Sequence, residues 1–218
     1  GKLRDNMRDN YIGPINLAEL SEKLGLHYTY FGTGCIFTYD KIHTIENNNG
    51  FMEEDNPNFF GSSYSIIKGY TDTKIKQFRN TLNLRIRMPI IGIDHSRNFI
   101  TKITNYEKIC SMPNSMTVLD ELLPIILHMM VHQETGTYNM TNPGIIEHND
   151  ILELYKKHID KKFLWQNFDI IEQSKILKSE RSNNYLDTTK LENYCNNNNI
   201  IINRIKESII RLFKNGGF

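Results

Sequence analysis

Tyr64 and Lys68 are the residues of this sequence whose types and spacing most directly suggest chemistry. They stand four apart in the segment GSSYSIIK, so on a helix they share a face and the ammonium can lie near the phenol oxygen. A nearby cation favours phenolate, which suits a tyrosine that must exchange a proton near neutral pH although its ordinary pKa is about 10. Tyr70 and Lys74 have the same spacing and could equally lie on a solvated helical face. We favour Tyr64 and Lys68 because a strand-like segment ending in GTGC precedes them and a Gly-Ser-Ser turn opens their helix.

Thr33 and Cys35 end the strand-like segment upstream of Tyr64. The Thr33 hydroxyl could hydrogen-bond a substrate carbonyl oxygen as negative charge develops there; the alternative is a threonine that only shapes a turn. If the strand continues, Cys35 points to the same side as Thr33, and a thiol and a hydroxyl face one substrate. The alternative for Cys35 is a buried structural cysteine, the usual state of a free thiol.

Composition excludes several classes of function. The 26 Lys plus Arg and 25 Asp plus Glu among 218 residues nearly balance, which argues against nucleic acid or an anionic membrane as partner. The three cysteines, Cys35, Cys110 and Cys195, form no CxxC pair, and no metal-ligand spacing of His and Cys occurs. No apolar run approaches the roughly 20 residues of a membrane span, and no signal-peptide pattern opens the sequence. We therefore expect a cytoplasmic protein without a bound metal.

Helical and extended patterns alternate along the chain. They predict helices through about residue 23 and over 61–79, 98–108, 117–132, 147–158 and 203–213, and strands over 27–37, 81–90 and 137–141. Gly25 is expected to cap the first helix, Pro89 to halt the second strand and Pro124 to kink or split its helix. Strand, helix and strand in this order predict an α/β fold: a parallel sheet with crossover helices, followed by a smaller, mainly helical lobe.

Several long segments resemble one family in order: HYTYFGTGCIFTYD, GFMEEDNPNFFGSSYSIIKGYTD, LNLRIRMPI, RNFITKITNYEKI, PNSMTVLDELLP, NPGIIEHNDILELY and RSNNYLDTTKL. The chain resembles the UDP-4-keto-6-deoxyglucose 3,5-epimerase/4-reductases, rhamnose-forming enzymes of plants and some giant viruses. The wider relation is to dTDP-4-dehydrorhamnose reductases and GDP-fucose synthases, all extended short-chain dehydrogenases. The resemblance implies that 1–95 and 115–143 form part of a Rossmann-like domain for NAD(P), and that 96–114 and 144–218 form a substrate-binding lobe.

The resemblance implies a bifunctional reaction: epimerisation of UDP-4-keto-6-deoxy-D-glucose at C3 and C5, then reduction at C4 to UDP-L-rhamnose by NADPH or NADH. Thr33 and Tyr64 would bind the C4 oxygen, Tyr64 would protonate it, and Lys68 would tune Tyr64 and hold the nicotinamide ribose. Inverting a carbon requires one group that removes a proton and another that returns it on the opposite face. Cys35 matches the first group and Lys102 the second; the alternative for Lys102 is an ordinary exposed helix lysine.

Further contacts follow from the resemblance. Arg87, Met88 and Pro89 are expected against the nicotinamide, and Asn98 and Phe99 against the sugar nucleotide. Arg181 and Asn184 resemble diphosphate or uridine ligands, or else they belong to a capped helix start. A homodimer is compatible with the family.

The family's G-x-x-G-x-x-G turn, which receives the cofactor pyrophosphate at a helix N-terminus, does not occur in these 218 residues. We expect a sheet without its first strands, and three explanations stay open: a fragment, a missing half supplied by another chain, or a truncated relative without turnover. The alternative function is accordingly a non-catalytic module that binds a sugar nucleotide or a partner.

Overall fold

The computed structural model describes residues 3–177 and 179–215. Its helices are α1 (Leu3–Met7), α2 (Gly13–Lys23), α3 (Ser63–Ile75), α4 (Phe99–Thr104), α5 (Leu119–Val131), α6 (His148–His158), α7 (Ile170–Ile176), α8 (Thr189–Asn197) and α9 (Ile205–Lys214). A π-helical turn, Arg8–Ile12, joins α1 to α2. The strands are β1 (Tyr28–Thr33), β2 (Thr81–Ile86), β3 (Pro89–Ile90), β4 (Lys108–Ile109), β5 (Thr117–Val118), β6 (Gly136–Asn139) and β7 (Gln166–Asn167).

The main sheet has the order β1-β2-β6 and is parallel throughout, which confirms the predicted α/β fold. Helix α3 connects β1 to β2, and α5 lies between β2 and β6, as crossover connections of parallel strands require. The register places Thr33 opposite Ile86, so both strands end at the same edge. Residues that follow these strands therefore meet at that edge.

Several features differ from the predicted elements. The strand expected over 81–90 is divided because Met88 has a φ of 40°, which breaks the extended backbone. The helix expected over 98–108 ends at Thr104, since Lys108–Ile109 pairs with Gln166–Asn167 as strand β4 with β7. Pro124 lies inside α5 without splitting it, and α7 was not predicted at all.

The two largest apolar clusters among residues 3–177 and 179–215 belong to different elements. One contains Leu82 and Leu84 of β2 and packs against α5 and α8. The other joins α4, α6 and α9 around Ile100, Ile151 and Ile209. These cores agree in outline with a sheet unit and a helical lobe, but α8 packs on the sheet unit. The predicted domain boundaries stay a prediction.

Candidate active site

Thr33 and Cys35 are held together at the carboxyl end of β1. The strand ends at Thr33, so Cys35 lies on the following turn and not on an extended strand as we expected. The backbone N–H of Cys35 donates to Thr33 Oγ1 at 3.1 Å, which fixes the turn against the hydroxyl. Gly34 permits this geometry, because a Cβ there would lie 2.6 Å from Leu186 Cδ1. Thr33 is buried, and Cys35 is half-buried.

Tyr64 lies in the first turn of α3, directly after the capping residue Ser62, whose side chain accepts the Ser65 N–H at 3.1 Å. Although 42% of Tyr64 is exposed, burial raises its pKa, the nearby Cys35 raises it further, and a hydrogen bond with Thr33 opposes the rise. Tyr64 is therefore a protonated phenol near neutral pH, in reach of both Thr33 and Cys35. Tyr70 is 65% exposed on the outer face of α3. The pair Tyr64 and Lys68 therefore lies at the site, whereas the equally spaced pair Tyr70 and Lys74 does not.

Lys68 is buried one helical turn after Tyr64, and its ammonium donates to the Tyr30 hydroxyl and, at 3.2 Å, to the Phe31 carbonyl. Burial lowers its pKa to about 8, although Asp72 and Cys35 favour the charged form. Our prediction put this ammonium beside the Tyr64 phenol. In the structure the Lys68 ammonium instead donates to Tyr30 and Phe31 of β1, and the charges of Asp72 and Cys35 favour its protonated form.

A cavity of about 1100 Å³ opens in front of Cys35 and Tyr64. It brings together seven of the predicted site residues: Cys35, Tyr64, Met88, Pro89, Phe99, Lys102 and Arg181. Lys102 lies on α4 and is exposed within the cavity, as an acid or base that must reach substrate requires. Arg181 is also exposed there and can offer its forked donors to phosphate oxygens. The catalytic and binding roles of these residues stay predictions.

Five predicted site residues do not line the cavity: Thr33, Lys68, Arg87, Asn98 and Asn184. Asn98 caps α4 and donates to the carbonyls of Ile91 and Ile93, at 2.9 and 2.8 Å. Asn184 is fully buried, and its amide donates at 2.9 Å to both Gly34 O and Phe37 O. Both amides are therefore engaged in holding loops, and direct contact with substrate would require them to give up these bonds.

Arg87 is likewise buried, and its backbone N–H donates to Thr117 Oγ1 at 2.9 Å. Its guanidinium donates to Gly34 O at 3.2 Å and to Ser182 Oγ at 2.9 Å, on the side of the turn that carries Cys35. Of the three residues predicted against the nicotinamide, only Met88 and Pro89 line the cavity.

His148 is a cavity residue that the sequence did not indicate. It begins α6, and its ring lies edge-on to Phe99 with centroids 5.3 Å apart. Burial lowers its pKa to about 4, so it is neutral near pH 7. A lone histidine in the segment IEHND carries no local signal of such a position, because the contact with Phe99 joins segments distant in sequence.

The arrangement can exchange protons with a bound carbonyl compound. A hydroxyl, a phenol and a thiol lie together at one end of β1, and an ammonium on α4 reaches the same cavity. In the described ranges, no group of three His, Cys, Asp or Glu side chains is placed to hold a metal ion. No helix within those ranges is long and apolar enough to cross a membrane.

Known proteins resemble this chain over nearly its whole length. Protein L780 of Acanthamoeba polyphaga mimivirus is 46% identical over 213 residues, 97% of this chain and 73% of L780. The bifunctional dTDP-4-dehydrorhamnose 3,5-epimerase/dTDP-4-dehydrorhamnose reductase of Arabidopsis thaliana is 46% identical over 208 residues, 95% of this chain and 68% of that protein. No protein-family model matches the sequence.

Solved structures agree with these relatives. The crystal structure of the L780 UDP-rhamnose synthase has a TM-score of 0.92 at 45% identity, over 98% of this chain and 73% of that chain. The dTDP-4-dehydrorhamnose reductase of Bacillus anthracis, in complex with NADP, has a TM-score of 0.73 at 18% identity, over 95% of this chain and 72% of that chain. The second likeness shows the fold alone.

Proposed function

Because this chain belongs to the family of rhamnose-forming 3,5-epimerase/4-reductases, which are sugar-nucleotide enzymes, we propose that it converts UDP-4-keto-6-deoxy-D-glucose to UDP-L-rhamnose. One observation carries the proposal: Thr33, Cys35 and Tyr64 form one cluster, and Cys35 and Tyr64 share a cavity with Lys102. The relatives named above include a dTDP-4-dehydrorhamnose epimerase/reductase and a UDP-rhamnose synthase. That the nucleotide of the substrate is UDP and not dTDP is part of the proposal.

The residues present fit the nicotinamide end of NADPH or NADH. An ammonium has three donors, and Lys68 uses two of them on Tyr30 and Phe31, which leaves one for a ribose hydroxyl. Met88 and Pro89 offer apolar surface on the cavity wall. The cofactor would supply the hydride for C4. The G-x-x-G-x-x-G turn is not among the 218 residues, so these residues account for the nicotinamide end only.

The side chains perform the proton transfers of the proposed reaction. Thr33 and Tyr64 hydrogen-bond the C4 oxygen and stabilise the negative charge that develops when a proton leaves C3 or C5. Cys35, which follows β1, and Lys102, on α4, remove and return that proton. Tyr64 then gives its proton to the C4 oxygen during reduction. Arg181 binds the diphosphate.

The test compares two tyrosines on one helix in the full-length protein. Purified protein receives UDP-4-keto-6-deoxy-D-glucose and NADPH, and UDP-L-rhamnose is measured. We expect Tyr64→Phe to lower the rate by about 10²–10⁴, the usual contribution of a positioned proton donor. Tyr70→Phe is the matched control and should behave as wild type, since Tyr70 faces outward. A wild-type rate of UDP-L-rhamnose formation by the Tyr64→Phe variant would contradict the proposal.

The alternative is a module that binds a sugar nucleotide or a partner without turnover. Calorimetric titration of the wild type separates the two. Binding of UDP-sugar without binding of NADPH, and without turnover, would establish the module. Deuterium from solvent at C3 and C5 would instead establish epimerisation.

A further inference from the structure

Strand β2 and its extension carry two fully buried arginines with different surroundings. Arg85 donates to both oxygens of Asp72, at 2.9 and 2.7 Å, and is thus paired with a carboxylate. Arg87 is 1% exposed, and no carboxylate of residues 3–177 or 179–215 pairs with it. Buried charges in proteins are normally paired, because an isolated ion loses its hydration without compensation. The missing partner of Arg87 therefore needs an explanation.

The hydrogen bonds of Arg87 go to neutral oxygens: Gly34 O, Ser182 Oγ, Ser182 O and Asn114 Oδ1. The same nitrogen that bonds to Gly34 lies 3.9 Å from Cys35 Sγ. These bonds fix the guanidinium in place beside the sulfur. Its Nε atom is buried, and no acceptor within residues 3–177 and 179–215 bonds to it.

Two ionisable groups near Arg87 could carry a negative charge, the Tyr39 phenol and the Cys35 thiol. Tyr39 donates its hydroxyl proton to Pro113 O at 3.0 Å, and burial raises its pKa to about 12, so it is neutral at physiological pH. Of these two groups, the Cys35 sulfur is therefore the one that can carry the negative charge. Cys35 also lies within electrostatic reach of Lys68 and Tyr64, so one further cation and one neutral phenol face it.

We propose that Arg87 is the counter-ion of the Cys35 thiolate and thereby makes Cys35 the group that accepts a proton during epimerisation. Arg87 acts through Cys35 and is a positioning residue, and the inference rests on the proposed function. The sulfur electron pair takes the proton from the carbon beside the C4 ketone, and the C–H pair becomes the enolate. Negative charge moves from sulfur to the C4 oxygen, where Thr33 and Tyr64 receive it. The Arg87 guanidinium is unchanged throughout.

The first test measures the sulfur directly in the full-length protein. Iodoacetamide alkylates thiolate and not thiol, and mass spectrometry of peptides gives a rate for each cysteine across pH. We expect Arg87→Met to slow Cys35 alkylation at pH 7.5 by about tenfold or more, because a buried cation 3.9 Å from the sulfur is removed. Arg87→Lys should restore part of the rate, and Arg85→Lys is the matched control that should leave it unchanged.

Cys110 and Cys195 are buried and report on folding in the same experiment. Slower alkylation of Cys35, with these two protected, supports the proposal; an unchanged rate with these two protected overturns it. If Arg87→Met exposes all three thiols, that variant is unfolded, and the Asn114→Asp variant tests the proposal instead. That change gives Arg87 a carboxylate in place of an amide oxygen it already contacts, so Cys35 should react more slowly. An unchanged rate in that variant also overturns the proposal.

The second test separates this inference from the proposed function. Deuterium exchange at C3 and C5 should fall more in Arg87→Met than reduction of already inverted UDP-4-keto-L-rhamnose. Equal falls would indicate a merely structural role and overturn the proposal. If the wild type shows no turnover, the proposed function fails, whereas the alkylation rates still decide whether Arg87 stabilises the thiolate.

Discussion

Replacing Arg85 by Met should destabilise the protein strongly and in a pH-dependent way. The Arg85 guanidinium donates to Asp72 at 2.9 and 2.7 Å, and the two side chains are 0% and 2% exposed. Removing one partner of such a pair leaves a buried carboxylate and costs about 3–5 kcal/mol. Asn83 still donates to Asp72 at 2.9 Å and Lys76 lies 3.7 Å away, so we expect the lower end, about 3 kcal/mol. Because Asp72 lies on α3, its pairing with β2 also holds the helix that carries Tyr64.

The sign of the pH dependence follows from Asp72. Burial alone would raise its pKa, but the hydrogen bonds and charge of Arg85, with Asn83 and Lys76, hold it below the ordinary value. The pair therefore stabilises the fold above the pKa of an unfolded aspartate, and this contribution is lost as pH falls through the folded value. The difference between wild type and Arg85→Met should be largest at neutral pH and shrink in acid.

Urea unfolding at a series of pH values measures both quantities. The control is the double variant Asp72→Leu with Arg85→Met, which removes both charges and should recover most of the lost stability. A loss below about 1 kcal/mol, or a loss independent of pH, would refute the reasoning, because a buried ion pair would then not stabilise this fold.

Three further outcomes are expected. Gly34→Ala should lower kcat by displacing the turn that carries Cys35, whereas Gly92→Ala, whose Cβ would meet nothing closer than 3.5 Å, should resemble wild type in the same steady-state assay. Lys68 has a folded pKa of about 8 against an ordinary 10.5, so urea unfolding should show stability rising with pH across that window and no such rise in Lys68→Met. Asn184→Ala should cost about 1–3 kcal/mol in urea unfolding, because two buried hydrogen bonds are lost, although Arg87 still donates to Gly34 O and Ser182 to Phe37 O.

The parallel sheet and its crossover helices could be predicted because each depends on a local pattern. Gly25, expected to cap the first helix, has a φ of 67°, a conformation that glycine adopts without strain. The end of β1 could not be placed in the same way. A strand through residue 37 and one that stops at Thr33 look alike in sequence, since the turn is fixed by contacts with Leu186 and Arg87, both distant along the chain.

The site itself was predictable as a list of residue types and less so as an arrangement. The prediction of Asn98 and Arg87 as ligands followed from their place in the family's segments, and their side chains are turned into the protein by bonds to Ile91, Ile93 and Ser182. Sequence position specifies the backbone neighbourhood of such a residue. The direction of its side chain depends on which distant oxygens are left without a donor, and that is settled only when the segments pack.

Arg85 and Arg87 show why charge in a buried strand must be interpreted with its partners. The segment LRIRM presents two arginines of identical type, two residues apart and facing the same side of an extended strand. One is neutralised by Asp72 of the helix behind it, so its charge is used to hold the fold. The other, among the residues that the structure describes, donates to neutral oxygens and a sulfur, so its charge is available to an anion that forms at Cys35. The two arginines differ because α3 brings a carboxylate to Arg85, whereas the segment around Ser182 brings neutral oxygens to Arg87. Loss of Arg87 should therefore change the reactivity of Cys35 more than it changes the stability of the fold, and loss of Arg85 should do the reverse.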